Sequence, residues 1–205
     1  KEYAFRTCYS DSFQGTAAAE YAVKKFSAKK AVILRDSSND YSKGLADAFR
    51  TTFTEGGGEI VSEDAYAKAA DNFNAVMTKF KGQEFDVIYL PGYYTEAGKA
   101  IKQARDLGIT QPILGGDGFD SPVLGEQAGA QLKDVYFTNH YSSEDQDPKV
   151  QEFITAFKAK HNTDPNAFNA LGYDTMKFVA DAVGRASEQT GEGVQKALAE
   201  TKDFE

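Results

Sequence analysis

Positive charge is in short supply in this chain: 23 lysines and arginines stand against 31 aspartates and glutamates over 205 residues, a net charge of −8. That sign disfavours docking on phosphate backbones or anionic lipid, so no nucleic acid is expected among its partners. Cysteine is scarcer still. The single Cys8 excludes an internal disulfide and any metal site built from several thiolates, leaves the compartment open, and is read as a small core or hinge residue. The two histidines, His140 and His161, have no nucleophile or second ligand at motif spacing and are read as surface residues. No window approaches the roughly 18 consecutive apolar residues of a membrane-spanning helix, and the opening Lys1-Glu2-Tyr3-Ala4-Phe5-Arg6 contains no signal-peptide core. The glycine-rich dinucleotide fingerprint, the P-loop and the Gly-x-Ser-x-Gly elbow are all missing, so no enzyme activity, catalytic residue, metal or cofactor is expected. What is present is apolar material. At 41% hydrophobic and 13% aromatic residues, the chain can bury the core of one large domain or two small ones.

The apolar residues alternate between strand and helix patterns. Ala31-Val32-Ile33-Leu34 is a short run typical of a strand buried on both faces, followed by Arg35-Asp36 and a polar loop. Leu45, Ala48, Phe49 and Phe53 then recur at helical spacing from Tyr41 until Gly56-Gly57-Gly58. Further strands are expected at Glu59 to Ser62, Asp86 to Leu90, Pro112 to Gly116 and Val135 to Thr138. Helices are expected at Gln14 to Phe26, Phe73 to Phe80, Glu96 to Leu107 and Ser121 to Gln127. Strands joined by helical crossovers imply an α/β fold with a parallel sheet flanked by helices. From Asp147 onward three helical stripes appear (Val150 to Phe157, Leu171 to Ala182, and Val194 with Leu198) with no convincing strand between them. Those stripes need a surface to bury them. The last residues, Lys202-Asp203-Phe204-Glu205, end without a cap or terminal element, and the chain is read as a piece of a longer protein.

In an open parallel sheet, ligands bind outside the carboxyl ends of the strands. Four loops lie there: 35–41, 91–94, 115–118 and 139–141. They carry tyrosines and acids, one histidine, and Arg35 as their sole cation. Such a rim suits an ammonium group, since a carboxylate gives charge and a tyrosine ring face contributes about 0.5–2 kcal/mol to a cation. Asp117, between glycines that allow close backbone approach, is the leading candidate, although Gly-Asp-Gly is also ordinary turn chemistry. Tyr93 and Tyr94 fit either a ligand contact or a half-buried cap on the sheet. Tyr41 reads locally as packing.

These loops carry a family resemblance. Asp11-Ser12-Phe13-Gln14-Gly15, Asp40-Tyr41-Ser42-Lys43-Gly44-Leu45, Gly92-Tyr93-Tyr94-Thr95-Glu96-Ala97-Gly98 with Gln103-Ala104-Arg105, and Gly115-Gly116-Asp117-Gly118 occur in one order along the chain. Taken together they resemble the leucine/isoleucine/valine-binding proteins, type I periplasmic substrate-binding proteins of branched-chain amino-acid ABC importers, over essentially the whole chain. The resemblance implies two α/β lobes with an amino acid trapped between them and delivered to the ABC permease in the membrane. Residues 1–141 would form the second lobe, with hinge crossings near 8–11 and 138–142 that include Ser10, Asp11 and Tyr141. Residues 142–205 would supply helices that normally cover the first lobe's sheet, which this chain lacks. A first lobe, preceded by a signal or lipoprotein peptide, would lie upstream and a glycine-rich strand region downstream. That places the protein in the periplasm, or on a Gram-positive cell surface as a lipoprotein.

By the same resemblance Tyr93 and Asp117 contact the ligand's α-ammonium group and Tyr41 lines the cleft. The groups for its α-carboxylate would lie on the absent lobe. The family often has glutamate where this chain has Asp117, a difference that bears on reach and ligand size. A ligand-sensing receptor module of the same fold is the alternative, and a flavodoxin-like metal enzyme using Asp36 or Asp117 a more distant one. The stripes carrying Phe153, Phe157 and Phe178 are expected to pair with a second chain or fold back on the lobe.

Overall fold

The computed structural model describes residues 2–202 and 204. Asp203 and Glu205, in the end read above as uncapped, lie outside the described residues. The chain folds as two compact units, one spanning Tyr9–Asn139 and the other formed by the segments on either side of it.

In the Tyr9–Asn139 unit the elements run α1 (Asp11–Phe26), β1 (Lys30–Asp36), α2 (Asp40–Glu55), β2 (Glu59–Tyr66), α3 (Asn74–Lys81), β3 (Val87–Tyr89), α4 (Tyr94–Asp106), β4 (Ile113–Gly115), α5 (Pro122–Ala128) and β5 (Val135–Phe137). The five strands pair in the order β2-β1-β3-β4-β5, all parallel. Successive strand residues serve opposite faces, so the uninterrupted run in β1 feeds two cores. Val32 and Leu34 pack with Ile88, Leu90 and Ile113 under α3, α4 and α5. Ala31 and Ile33 pack with Val87, Tyr89 and Leu114 under α1 and α2, where Phe49 and Phe53 are fully buried.

In this unit two element boundaries differ from the periodicity reading by three residues or more. The first helix begins at Asp11, three residues earlier than the apolar spacing indicates, because Ser10 caps it by accepting the Phe13 N–H at 3.2 Å and Asp11 sits favourably in the first turn. Strand β2 runs to Tyr66 rather than ending near Ser62. It is an edge strand whose polar half is held by charge pairing: Glu63 binds Arg35 at 2.8 Å and Arg50 at 2.7 Å, and Asp64 binds Lys79 at 2.6 Å. Apolar alternation cannot register such a strand.

Helices α1 and α2 meet at Gly15. A β-carbon there would lie 2.6 Å from the Leu45 carbonyl oxygen and 2.7 Å from the Ala48 Cβ. Gly15→Ala gains about 1 kcal/mol of helix propensity but forces apart two helix backbones, an overpacking cost of about 1–3 kcal/mol. Because the nearest atom belongs to the backbone, the upper half of that range applies and a net loss of about 1–2 kcal/mol is expected in urea unfolding; unchanged stability would show that the helices can separate freely.

The second unit contains α6 (Pro148–His161), α7 (Ala167–Arg185) and α8 (Gly191–Ala199), with no strand among its described residues. Each helix starts at a side-chain cap: Asp147 accepts from Lys149 N–H, Asn166 and Asn169 form a reciprocal capping box, and Thr190 accepts from Gly193 N–H. The N-terminal segment joins this unit through Thr7 Oγ1, 2.7 Å from Thr175 Oγ1. Phe153, Phe157 and Phe178 are half-buried rather than bare. Phe153 lies 5.8 Å from Phe157 and 5.0 Å from Tyr173, and Phe178 lies 5.3 Å from Phe204. Elsewhere on α7, Phe168, Tyr173 and Met176 are exposed.

Candidate functional site

The strand order sets where the site lies. From β1 the chain crosses one face of the sheet through α2 to β2, and from the neighbouring β3 it crosses the other face through α4 to β4. Adjacent strands whose connections leave in opposite directions open a crevice at their carboxyl ends. Tyr41 follows β1, Tyr93 follows β3, and Asp117 follows β4.

Local hydrogen bonds fix each of them. Asn39 caps α2 by accepting the Tyr41 N–H at 2.9 Å, which holds Tyr41 in the first helical turn. The buried Ser42 hydroxyl accepts the Asp36 N–H at 2.9 Å and donates to the Pro91 carbonyl at 2.6 Å, joining the loops after β1 and β3. Tyr41 Oη donates to Asp117 Oδ1 at 2.5 Å and accepts the Gly118 N–H at 3.0 Å. The Tyr41 and Tyr93 rings lie 5.1 Å apart at 31°. Beneath them, Gln14 Oε1 accepts from the Asp117 N–H at 3.3 Å and from the Thr138 hydroxyl at 2.7 Å. The glycines flanking Asp117 make this closeness possible: a β-carbon on Gly116 would lie 2.7 Å from Tyr41 Oη, and one on Gly118 2.4 Å from the Gly92 carbonyl oxygen.

Burial, reinforced by the Asp117 charge, raises the Tyr41 hydroxyl far above the usual tyrosine range, so it remains a donor to the carboxylate. Burial also raises Tyr93, against an opposing hydrogen bond from Asn39. Tyr93 is the most accessible of the three, 37% exposed, whereas Tyr41 and Asp117 are half-buried. Chemically the cluster offers one acid and two aromatic rings, a set suited to a small cation.

Other candidates fall elsewhere. Ser10 caps α1, and Asp11 begins that helix with its carboxylate against Gly44 of α2. Tyr141 belongs to the other unit and meets Phe153 edge-on at 6.2 Å. Arg35 is not a rim cation: it lies within β1 and its guanidinium is paired with Glu63. The Asp36 carboxylate accepts from the Ser38 N–H at 2.8 Å and the Ser38 hydroxyl at 2.6 Å, closing its own turn. Among the described residues no group of three or more His, Cys, Asp or Glu side chains could hold a metal ion. Cys8 is exposed, which corrects its reading as a core residue. Sequence reasoning passed over Gln14, although a signal was available: with Ala18 and Ala22 it occupies the buried stripe of α1, where a polar side chain needs a partner.

This five-stranded parallel sheet flanked by helices has the type I periplasmic-binding fold. The family model described as periplasmic binding protein matches residues 1–205, and the chain belongs to that family. Among curated relatives, the Leu/Ile/Val-binding protein homolog 3 of Brucella melitensis is 32% identical over 205 residues, covering 100% of this chain and 55% of the relative. Among solved structures, the branched-chain amino acid transporter substrate-binding protein LivJ of Streptococcus pneumoniae, determined in complex with isoleucine, is 40% identical. Its TM-score is 0.91, with 99% of this chain and 57% of that one covered. The leucine-binding protein LivK of Thermotoga maritima is 36% identical with a TM-score of 0.94, covering 100% of this chain and 58% of that one. The chain thus spans about half the length of the relatives it matches.

Proposed function

We propose that this chain provides one lobe of an extracytoplasmic substrate-binding protein that captures a branched-chain amino acid and delivers it to an ABC permease. The observation that carries this reading is the Tyr41–Tyr93–Asp117 cluster at the β1/β3 switch point. In this reading Asp117 pairs with the ligand's ammonium group, Tyr93 offers its ring and hydroxyl, and Tyr41 holds the carboxylate in place. The ligand's carboxylate is bound by the first lobe, and closure of the two lobes creates the form the permease recognises. Segments 8–11 and 138–142, with Ser10, Asp11 and Tyr141, act as hinge crossings. The separation of Tyr9–Asn139 from its flanking segments supports that role. The protein works as a carrier rather than an enzyme, in the periplasm or on the surface of a Gram-positive cell. Helices α6 to α8 pack against the first lobe, whose sheet this chain lacks; in its absence, the exposed Phe168, Tyr173 and Met176 favour self-association.

A thermal-shift screen of the full-length protein against the common amino acids, followed by calorimetry, tests the reading. At a ligand concentration about 100 times Kd, binding adds about 2.7 kcal/mol of stability, so leucine, isoleucine or valine should raise the melting temperature by several degrees. Stabilisation by a divalent metal but by no amino acid would overturn it.

A further inference from the structure

Tyr89 ends β3, four residues before Tyr93, and takes no part in the contacts among Tyr41, Tyr93 and Asp117. Its side chain faces α1 and α2, with its ring stacked on Phe49 at 4.1 Å and 13°. The residue is fully buried, and its hydroxyl oxygen has no hydrogen-bond partner among the described residues. Phenylalanine would pack the same ring without burying a polar atom, so the hydroxyl calls for a partner. Its location narrows the choice. Tyr89 lies on the same face and at the same end of the sheet as Gln14 and the first turn of α2, the elements that hold Asp117. Burial raises its hydroxyl most strongly, and the charges that raise it further are Asp117 and Asp11. It is therefore a protonated donor among acceptors that it does not reach directly. A buried water fits this setting, since such waters sit where two to four polar groups converge.

We infer that the Tyr89 hydroxyl donates through one buried water to the Asp117 carboxylate, making Tyr89 a positioning residue for the cation seat. Its effect on affinity rests on the amino-acid reading above; the water bridge itself does not. Tyr41 steadies Oδ1 of Asp117 from the α2 side, and the bridge steadies the carboxylate from beneath.

Two measurements on the full-length protein test this. A crystal structure that orders water should place one at about 2.6–3.2 Å from both Tyr89 Oη and an Asp117 carboxylate oxygen. A dry hydroxyl, or a water bonded to Tyr89 but not to Asp117, overturns the inference. Tyr89→Phe should weaken leucine binding roughly 3- to 10-fold while the ligand-free melting temperature stays within about 2 °C. Unchanged affinity overturns the positioning role, whether or not the melting temperature falls. If both affinity and melting temperature fall, the crystal structure of Tyr89→Phe decides: a ring in place with Asp117 displaced supports the inference, and a displaced ring overturns it. If the wild-type protein binds no amino acid, the transport reading fails, while the bridge is still judged by the density at Tyr89.

Discussion

Asp117→Asn in the full-length protein is expected to weaken amino-acid binding by about 30- to 1000-fold, equivalent to about 2–4 kcal/mol. The substitution keeps the shape of the side chain and leaves an oxygen for the Tyr41 hydroxyl, which donates to Oδ1 in the wild type. What it removes is the charge. A charge-assisted bond from an ammonium group contributes about 1.5–3 kcal/mol, and the half-buried position of Asp117 weakens screening by water. Asp117→Glu restores the charge at longer reach and should recover part of the affinity. It also tests whether the shorter acid sets ligand size. Calorimetric titration with leucine measures all three proteins. Wild-type affinity in the asparagine variant would return Asp117 to a turn residue.

Gly118→Ala should damage both the fold and the site. The added methyl would lie 2.4 Å from the Gly92 carbonyl oxygen, 3.1 Å from Tyr93 Cδ1 and 3.2 Å from Tyr41 Oη. The first of these is a backbone atom, so no change of rotamer relieves the clash, and the loops after β3 and β4 must move apart. Overpacking of this kind costs about 1–3 kcal/mol, and the upper half of that range is expected here. Separation of the loops would also pull Tyr93 away from Asp117, adding at least about a tenfold loss of leucine affinity. Urea unfolding and calorimetry read the two effects separately. A variant with wild-type stability would show that the loops tolerate separation.

The parts of this fold that were legible in the sequence share a cause. Strands β1, β3 and β4 are buried on both faces, so Val32-Ile33-Leu34, Val87-Ile88-Tyr89 and Ile113-Leu114 had to be continuous apolar runs. The strand-end rule then led to Tyr93 and Asp117 without reference to any relative. Where polar groups satisfy one another across the fold, the pattern was silent. Glu63 belongs to a strand only because Arg35 and Arg50 reach it, and Arg35 looked like a rim cation only while Glu63 was out of view. Gln14 is separated from Asp117 by 103 residues and from Thr138 by 124, distances at which local spacing carries no information. Tyr41 shows the same limit, since its packing against Tyr93 and its bond to Asp117 are one arrangement that its neighbours in sequence cannot disclose.

The Tyr41 hydroxyl, held between the Gly118 N–H and Asp117, has a consequence for the thermodynamics of capture. The tyrosine and the carboxylate have already surrendered their rotamer freedom in the folded lobe. Ordering such side chains on binding would cost about 0.5–1.5 kcal/mol each. Under the proposed closure mechanism, a ligand meeting a seat whose geometry is set beforehand keeps that portion of its interaction free energy, which then remains available to hold the lobes closed.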